Sequence, residues 1–282
     1  MLPRAANGRR ASPNSDYAIG LMRAFGGAII FGFPLLMTME MWWLGFYMDP
    51  RRLLLFLVLN GVVLLGLAYF AGFEKTDDLK DSAMDAFAAY AVGVLASAAA
   101  LALFGILGPG MPLEEIVGKI AVQAVPASIG AVVARKQLGS GGDDEEQDEK
   151  ERRAGYPGQL FLMAAGALFL AFNVAPTEEM ILIAFKMTPW HGLAMVAVSV
   201  VLLHAFVYSV GFSGQEEIGE SGAWSTFLKY SLAGYGIALL LSLYVLWTFG
   251  RTDGADLTQI AMMTAVLGLP SALGAAVARL IV

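Results

Sequence analysis

The sequence contains no cysteine, which excludes disulfides, thiolate metal sites and cysteine nucleophiles. It holds two histidines, His191 and His204, too far apart along one helix to share a metal. Charge is scarce. Asp, Glu, Lys and Arg make up 15% of 282 residues, where a soluble domain carries about 25%. No basic face or arginine-rich arm of useful length is present, so nucleic acid is not expected as a partner. The zinc HExxH motif, GxSxG, the P-loop and the dinucleotide fingerprint are all missing. Neither an enzyme nor a cofactor is therefore expected.

What fills the chain instead is apolar sequence: 57% hydrophobic, with a mean hydropathy of +0.65. The few charges cluster in the N-terminal tail, in residues 141–153 and in short patches. Between them lie stretches of about 20 apolar residues, enough to cross ~30 Å of hydrocarbon. Candidate spans are 22–47, 52–73, 84–107, 114–135, 159–186, 191–212, 225–249 and 257–281. They are apolar all round, which predicts helices rather than the alternating strands of a membrane barrel. The first is too long and too aromatic for a cleaved signal peptide and is expected to be retained behind a disordered cytoplasmic tail, 1–16.

The spans repeat. Shifting the chain by 139 residues, the separation of Glu40 and Glu179, lays Gly27-Ala28 on Gly166-Ala167 and Phe33 on Phe172. The same shift lays Thr38-Met39-Glu40-Met41 on Thr177-Glu178-Glu179-Met180, Phe46 on Phe185, Pro50 on Pro189 and Tyr69 on Tyr208. With a slightly larger shift Tyr90 meets Tyr235, and Phe104-Gly105 meets Phe249-Gly250. Pro126, Gly130-Ala131 and Ala134-Arg135 then meet Pro270, Gly274-Ala275 and Ala278-Arg279. Apolar composition alone does not align a Glu, a Thr and several prolines in order. The expected architecture is an all-α membrane protein of about eight transmembrane helices, arranged as two four-helix repeats over 17–135 and 159–282. An even number of spans per repeat gives both copies the same orientation, a parallel rather than an inverted repeat. Residues 136–158, with Gly139-Ser140-Gly141-Gly142 and an acidic run, read as a charged cytoplasmic linker, solvated and flexible.

Of the 18 lysines and arginines, 13 lie on the side of the N-terminus. The exceptions are Arg51, Arg52, Lys119, Lys186 and Arg251. That bias places both termini in the cytoplasm of a plasma (inner) membrane protein, with Trp42, Trp43, Tyr47 and Trp190 as an outer aromatic belt.

Chemistry concentrates in the first span of each repeat. Glu40 and Glu179 stand ten residues before Pro50 and Pro189, roughly 10–15 Å below the outer end at 1.5 Å per residue. A carboxylate at such a depth costs about 2.5–3.5 kcal/mol and ordinarily faces a cavity or a partner. Facing each other across a pseudo-twofold axis, the pair would hold a cation or share a proton; the alternative is that each reaches the interface and does nothing. Pro34 and Pro176 free backbone carbonyls nearby. Either a broken helix that presents oxygens to an ion or a packing kink follows. Glu178, Thr38, Thr177 and Asn173 are the accessory oxygen ligands of the first case, and the metal they would suit is undetermined. Asn60 and Ser199 read as interhelical hydrogen-bonding residues, and His204 as a packed neutral histidine. His191, Tyr69 and Tyr208 read as interfacial. Glu114 and Glu115 suit a helix N-terminus or the lining of an outer mouth.

Phe-Pro-Leu-Leu-Met-Thr-Met-Glu-Met-Trp (33–42) together with Asn-Val-Ala-Pro-Thr-Glu-Glu (173–179) resembles an uncharacterised family of bacterial integral membrane proteins, over nearly the whole chain. The resemblance implies a bacterial inner membrane and no particular activity. The residues themselves lead to the expectation of a transporter or channel for a small cation or proton, in contact with the lipid bilayer and able to act alone or as a homo-oligomer. The alternative is a non-transporting scaffold, sensor or assembly factor working through its acidic linker.

Overall fold

A computed structural model describes residues 13–70, 79–137, 144–210 and 223–281, which form helices joined by short connections, without strands among the described residues. The first half contains α1 (Pro13–Leu36), α2 (Met39–Tyr47), α3 (Pro50–Phe70), α4 (Leu79–Leu103) and α5 (Leu113–Gln137). The second contains α6 (Asp144–Val174), α7 (Glu178–Lys186), α8 (Pro189–Val210), a short α9 (Ala223–Thr226), a π-helical segment (Phe227–Leu232), α10 (Ala233–Thr248) and α11 (Leu257–Ile281). Eight of these helices are long and apolar enough to cross a membrane, and exposed apolar side chains such as Ile30, Leu54, Leu95, Leu103 and Leu240 surround the bundle.

The first and fifth spans take the broken-helix form, one of the two alternatives the prolines left open. Continuous helices over 22–47 and 159–186 are replaced by α1–α2 and α6–α7, each pair separated by a break. Thr38 and Thr177 are extended there. Pro176 has no N–H to donate, so the helical hydrogen-bond ladder cannot continue through it. At the first break, side chains take up the terminal carbonyls: Gln123 donates to Leu35 O at 3.2 Å, Trp42 Nε1 to Leu36 O at 2.8 Å, and Thr38 Oγ1 to Pro34 O at 2.7 Å.

Of the stretch 136–158 read as a linker, residues 138–143 lie outside the described residues. Residues 144–154 are helical, and Gly155, with φ 60 and ψ −164, marks where the charged part of α6 meets its apolar part. Glu146–Lys150, Asp148–Arg152 and Glu149–Arg153 stand four apart in the sequence, a spacing that favours helix.

The last helix of each half is its central post. α5 packs against α1, α2, α3 and α4, and α11 against α6, α7, α8 and α10. Lipid does not drive helices together through the hydrophobic effect, so small residues that let backbones approach closely must do it. A Cβ at Gly27 would overlap Gly130 O and Ala134 Cβ; a Cβ at Gly166 would overlap Gly274 O and Ala278 Cβ. These residues are the ones the sequence shift superposes. The ends of α4 and α10 match in the same way. Gly105 and Gly250 are left-handed, at φ 70 and 73. Ile106 N–H donates to Leu101 O, and Arg251 N–H to Leu246 O, closing the same glycine C-cap.

The halves meet along a seam of phenylalanines. Phe56 lies edge-on to Phe172 and Phe249, at 5.2 and 5.6 Å, and Phe31 edge-on to Phe169 at 5.6 Å. A partly open apolar cavity of about 120 Å³ lies here, lined by Phe31, Ile129, Phe169 and Gly274 among others. At one end Arg52 crosses the seam. Its guanidinium pairs with both Asp253 oxygens at 2.8 Å, donates to Trp247 O at 3.0 Å and lies 4.9 Å from the Trp247 ring centroid.

Candidate functional site

Most of the residues singled out above lie at one or the other of the two helix breaks. Glu40 lies in the first turn of α2; Glu178 and Glu179 lie in the first turn of α7. A carboxylate is favourable there, where the unpaired N–H groups give the helix start a partial positive charge. Glu40 is half-buried, whereas Glu178 and Glu179 are exposed. Each short helix buries one stripe: Met41 and Leu44 on α2, Met180 and Ala184 on α7. Among the described residues no hydrogen bond or ion pair joins Glu40 to Glu179, and no group of three His, Asp or Glu side chains could hold a metal.

The accessory oxygens serve the breaks themselves. Thr177 Oγ1 donates to Val174 O at 2.8 Å, as Thr38 does to Pro34, and Asn173 Nδ2 donates to Phe169 O at 2.8 Å. Their oxygens keep free lone pairs. Arg251, which follows the α10 glycine cap, donates to Pro176 O. No simple signal in the sequence pointed to this contact. The two residues are remote in the chain, and the position equivalent to Arg251 in the first half is Ile106.

The remaining polar residues have partners of their own. Asn60 is buried and donates to Ser128 Oγ at 3.0 Å, joining α3 to α5. Ser199 donates within its own helix, to Met195 O. His204 shares a 2.8 Å hydrogen bond with Ser231 in the π-helical segment and stands edge-on to Phe227. His191 is exposed, its Nδ1 2.8 Å from Thr188 Oγ1. Besides Arg52–Asp253, sequence reading did not connect the charged pair Glu115–Lys119, four apart on α5 and 2.6 Å from each other. It lines a cleft with Trp42, Trp43, Phe46 and Ile106.

Residues 20–282 match the model of a family described as "Putative integral membrane protein (DUF2391)". The chain belongs to that family. The match spans both breaks and both halves, in agreement with the resemblance carried by 33–42 and 173–179. The family description states membrane residence and says nothing of activity. No curated protein and no solved structure matches the chain.

Proposed function

We propose that the protein is a transporter or channel for a small cation or proton, with Glu40 and Glu179 as the residues that bind or titrate. The observation that carries this reading is the interruption of the first membrane span in both halves, each time with a carboxylate in the turn that follows. Interrupted helices free backbone oxygens and helix ends at membrane depth, where transport proteins place ions. Glu178, Thr38, Thr177 and Asn173 add oxygens around the same breaks. In this reading the halves are two same-orientation repeats of one unit, both termini are cytoplasmic, the membrane is the bacterial inner membrane, and no catalysis is involved. The matched glycine contacts and glycine caps support the repeat; the Lys and Arg bias supports the orientation.

The test is ion flux in liposomes of the purified protein, with a panel of monovalent and divalent cations and imposed pH gradients. Flux that vanishes in Glu40→Gln/Glu179→Gln is expected. Flux unchanged by that double substitution would sink the proposal.

A second reading, a non-transporting scaffold or assembly factor, has its own support. The seam between the halves is packed with phenylalanine, and Glu178 and Glu179 are exposed at a helix start, where a carboxylate needs no ion to be stable. This reading expects no flux for any ion from a folded protein, and loss of cellular function when 136–158 is deleted.

A further inference from the structure

The cleft between α2 and the start of α5 has a volume of about 470 Å³ and is lined by charged and aromatic side chains. Its floor is the Glu115–Lys119 ion pair, with side chains only 19% and 12% exposed. Its walls are Trp42, Trp43, Phe46 and Ile106. Trp42 spends its indole N–H on Leu36 O, which holds the ring in place and leaves only its face for a ligand. Trp43 and Phe46 are 56% and 63% exposed, on a chain whose exposed apolar surface meets lipid.

The second half offers a comparison within the same molecule. Shifting by 139 for α2 and by 144 for α5 turns Trp42, Trp43, Glu115 and Lys119 into Ile181, Leu182, Gln259 and Met263. Phe185, Gln259 and Met263 line a cleft there too, but it measures about 160 Å³ and carries no charge. Packing of the shared fold therefore does not require the ion pair or the tryptophans. A half-buried pair between apolar walls recovers its desolvation cost poorly by itself. A ligand bearing both signs would complement each charge and leave the site neutral.

We propose that this cleft binds the zwitterionic headgroup of a phospholipid, the phosphate on Lys119 and the ammonium on Glu115 and the faces of Trp42 and Trp43. A carboxylate beside indole faces is what an ammonium group seeks, and Lys serves phosphate as a point charge. An anionic headgroup without an ammonium would set its charge against Glu115. The proposal does not rest on ion transport, and its failure would leave the flux experiment unaffected.

The test is binding to the full chain in detergent micelles, read by native mass spectrometry and by tryptophan fluorescence. The probes are dihexanoyl-phosphatidylethanolamine, dihexanoyl-phosphatidylglycerol and acyl-free glycerophosphoethanolamine. The ethanolamine lipid is expected to bind on the order of tenfold more tightly than the glycerol lipid. Glu115→Gln/Lys119→Met, which gives the first cleft the residues of the second, is expected to abolish that preference. Trp43→Ala, at an exposed position that folding does not need, is expected to weaken the ethanolamine lipid while sparing the glycerol lipid. Equal binding of both lipids, or an unchanged preference in the double variant, would overturn the proposal. Acyl-free headgroup bound as tightly as the lipid would keep the zwitterion chemistry and overturn the lipid as its source.

Discussion

Two arginines carry contacts that reach far along the chain. Arg52 holds Asp253 by a two-pronged hydrogen bond, and that bond lowers the Asp253 carboxyl below its ordinary value. A depressed carboxylate contributes stability above its unfolded pKa and loses it as pH falls through the folded one. The pair is partly exposed, so its worth is about 0–1 kcal/mol. Thermal unfolding in detergent is expected to show a small fall in Tm as pH drops below about 4, and Asp253→Asn is expected to remove that slope. Arg251 acts on the backbone instead, through Pro176 O. Arg251→Met is expected to cost about 1.5–3 kcal/mol, the worth of a hydrogen bond to a charged group, and Arg251→Lys to recover part of it. A Tm for Arg251→Met equal to that of wild type would show that the carbonyl needs no donor.

The glycine-to-glycine approach of α1 to α5, and of α6 to α11, sets how near the helices lie. Gly166→Val puts methyl groups where Gly274 O and Ala278 Cβ already stand. It is expected to lose about 1–3 kcal/mol by overpacking, seen as a lower Tm and early aggregation on size-exclusion chromatography. Gly26 on the same α1 meets nothing within 4 Å, so Gly26→Ala is expected to be neutral or mildly stabilising, through its better helix propensity. The broken first span of each half shows what periodicity can and cannot reveal. Residues 22–47 and 159–186 are apolar enough to read as single helices. The breaks depend on side-chain donors that come from elsewhere in the chain, Gln123 on α5 and Arg251 after α10. Pro34 and Pro176 flagged the right neighbourhoods. Pro34 nevertheless lies inside α1, two residues before the helix ends.

The whole bundle is joined across its middle by aromatic rings. Phe56 is almost fully buried and touches Phe172 and Phe249 of the other half. Phe56→Ala is expected to cost about 3–5 kcal/mol, read as a drop in Tm and as easier separation of the two halves by protease. If Phe56→Ala unfolds like wild type, the halves are held by something other than this seam.

Composition and pattern by themselves determined the membrane class and the eight spans, and they supplied the in-order sequence matches between the two halves. Each of these follows from local properties: hydrocarbon thickness sets span length, and in-order matches between halves need no coordinates. Gly27, Gly130, Gly166, Gly274 and Ala278 all stood out in those matches, although which of them touch did not. Only the tertiary structure decided where helices break, because a break depends on which remote donor reaches a freed carbonyl. It also decided that Glu40 and Glu179 share no bond and that Glu115 and Lys119 share a cleft with two tryptophans. Those outcomes turn on how helices far apart in sequence rotate against one another, and side-chain spacing along a single helix carries no record of that.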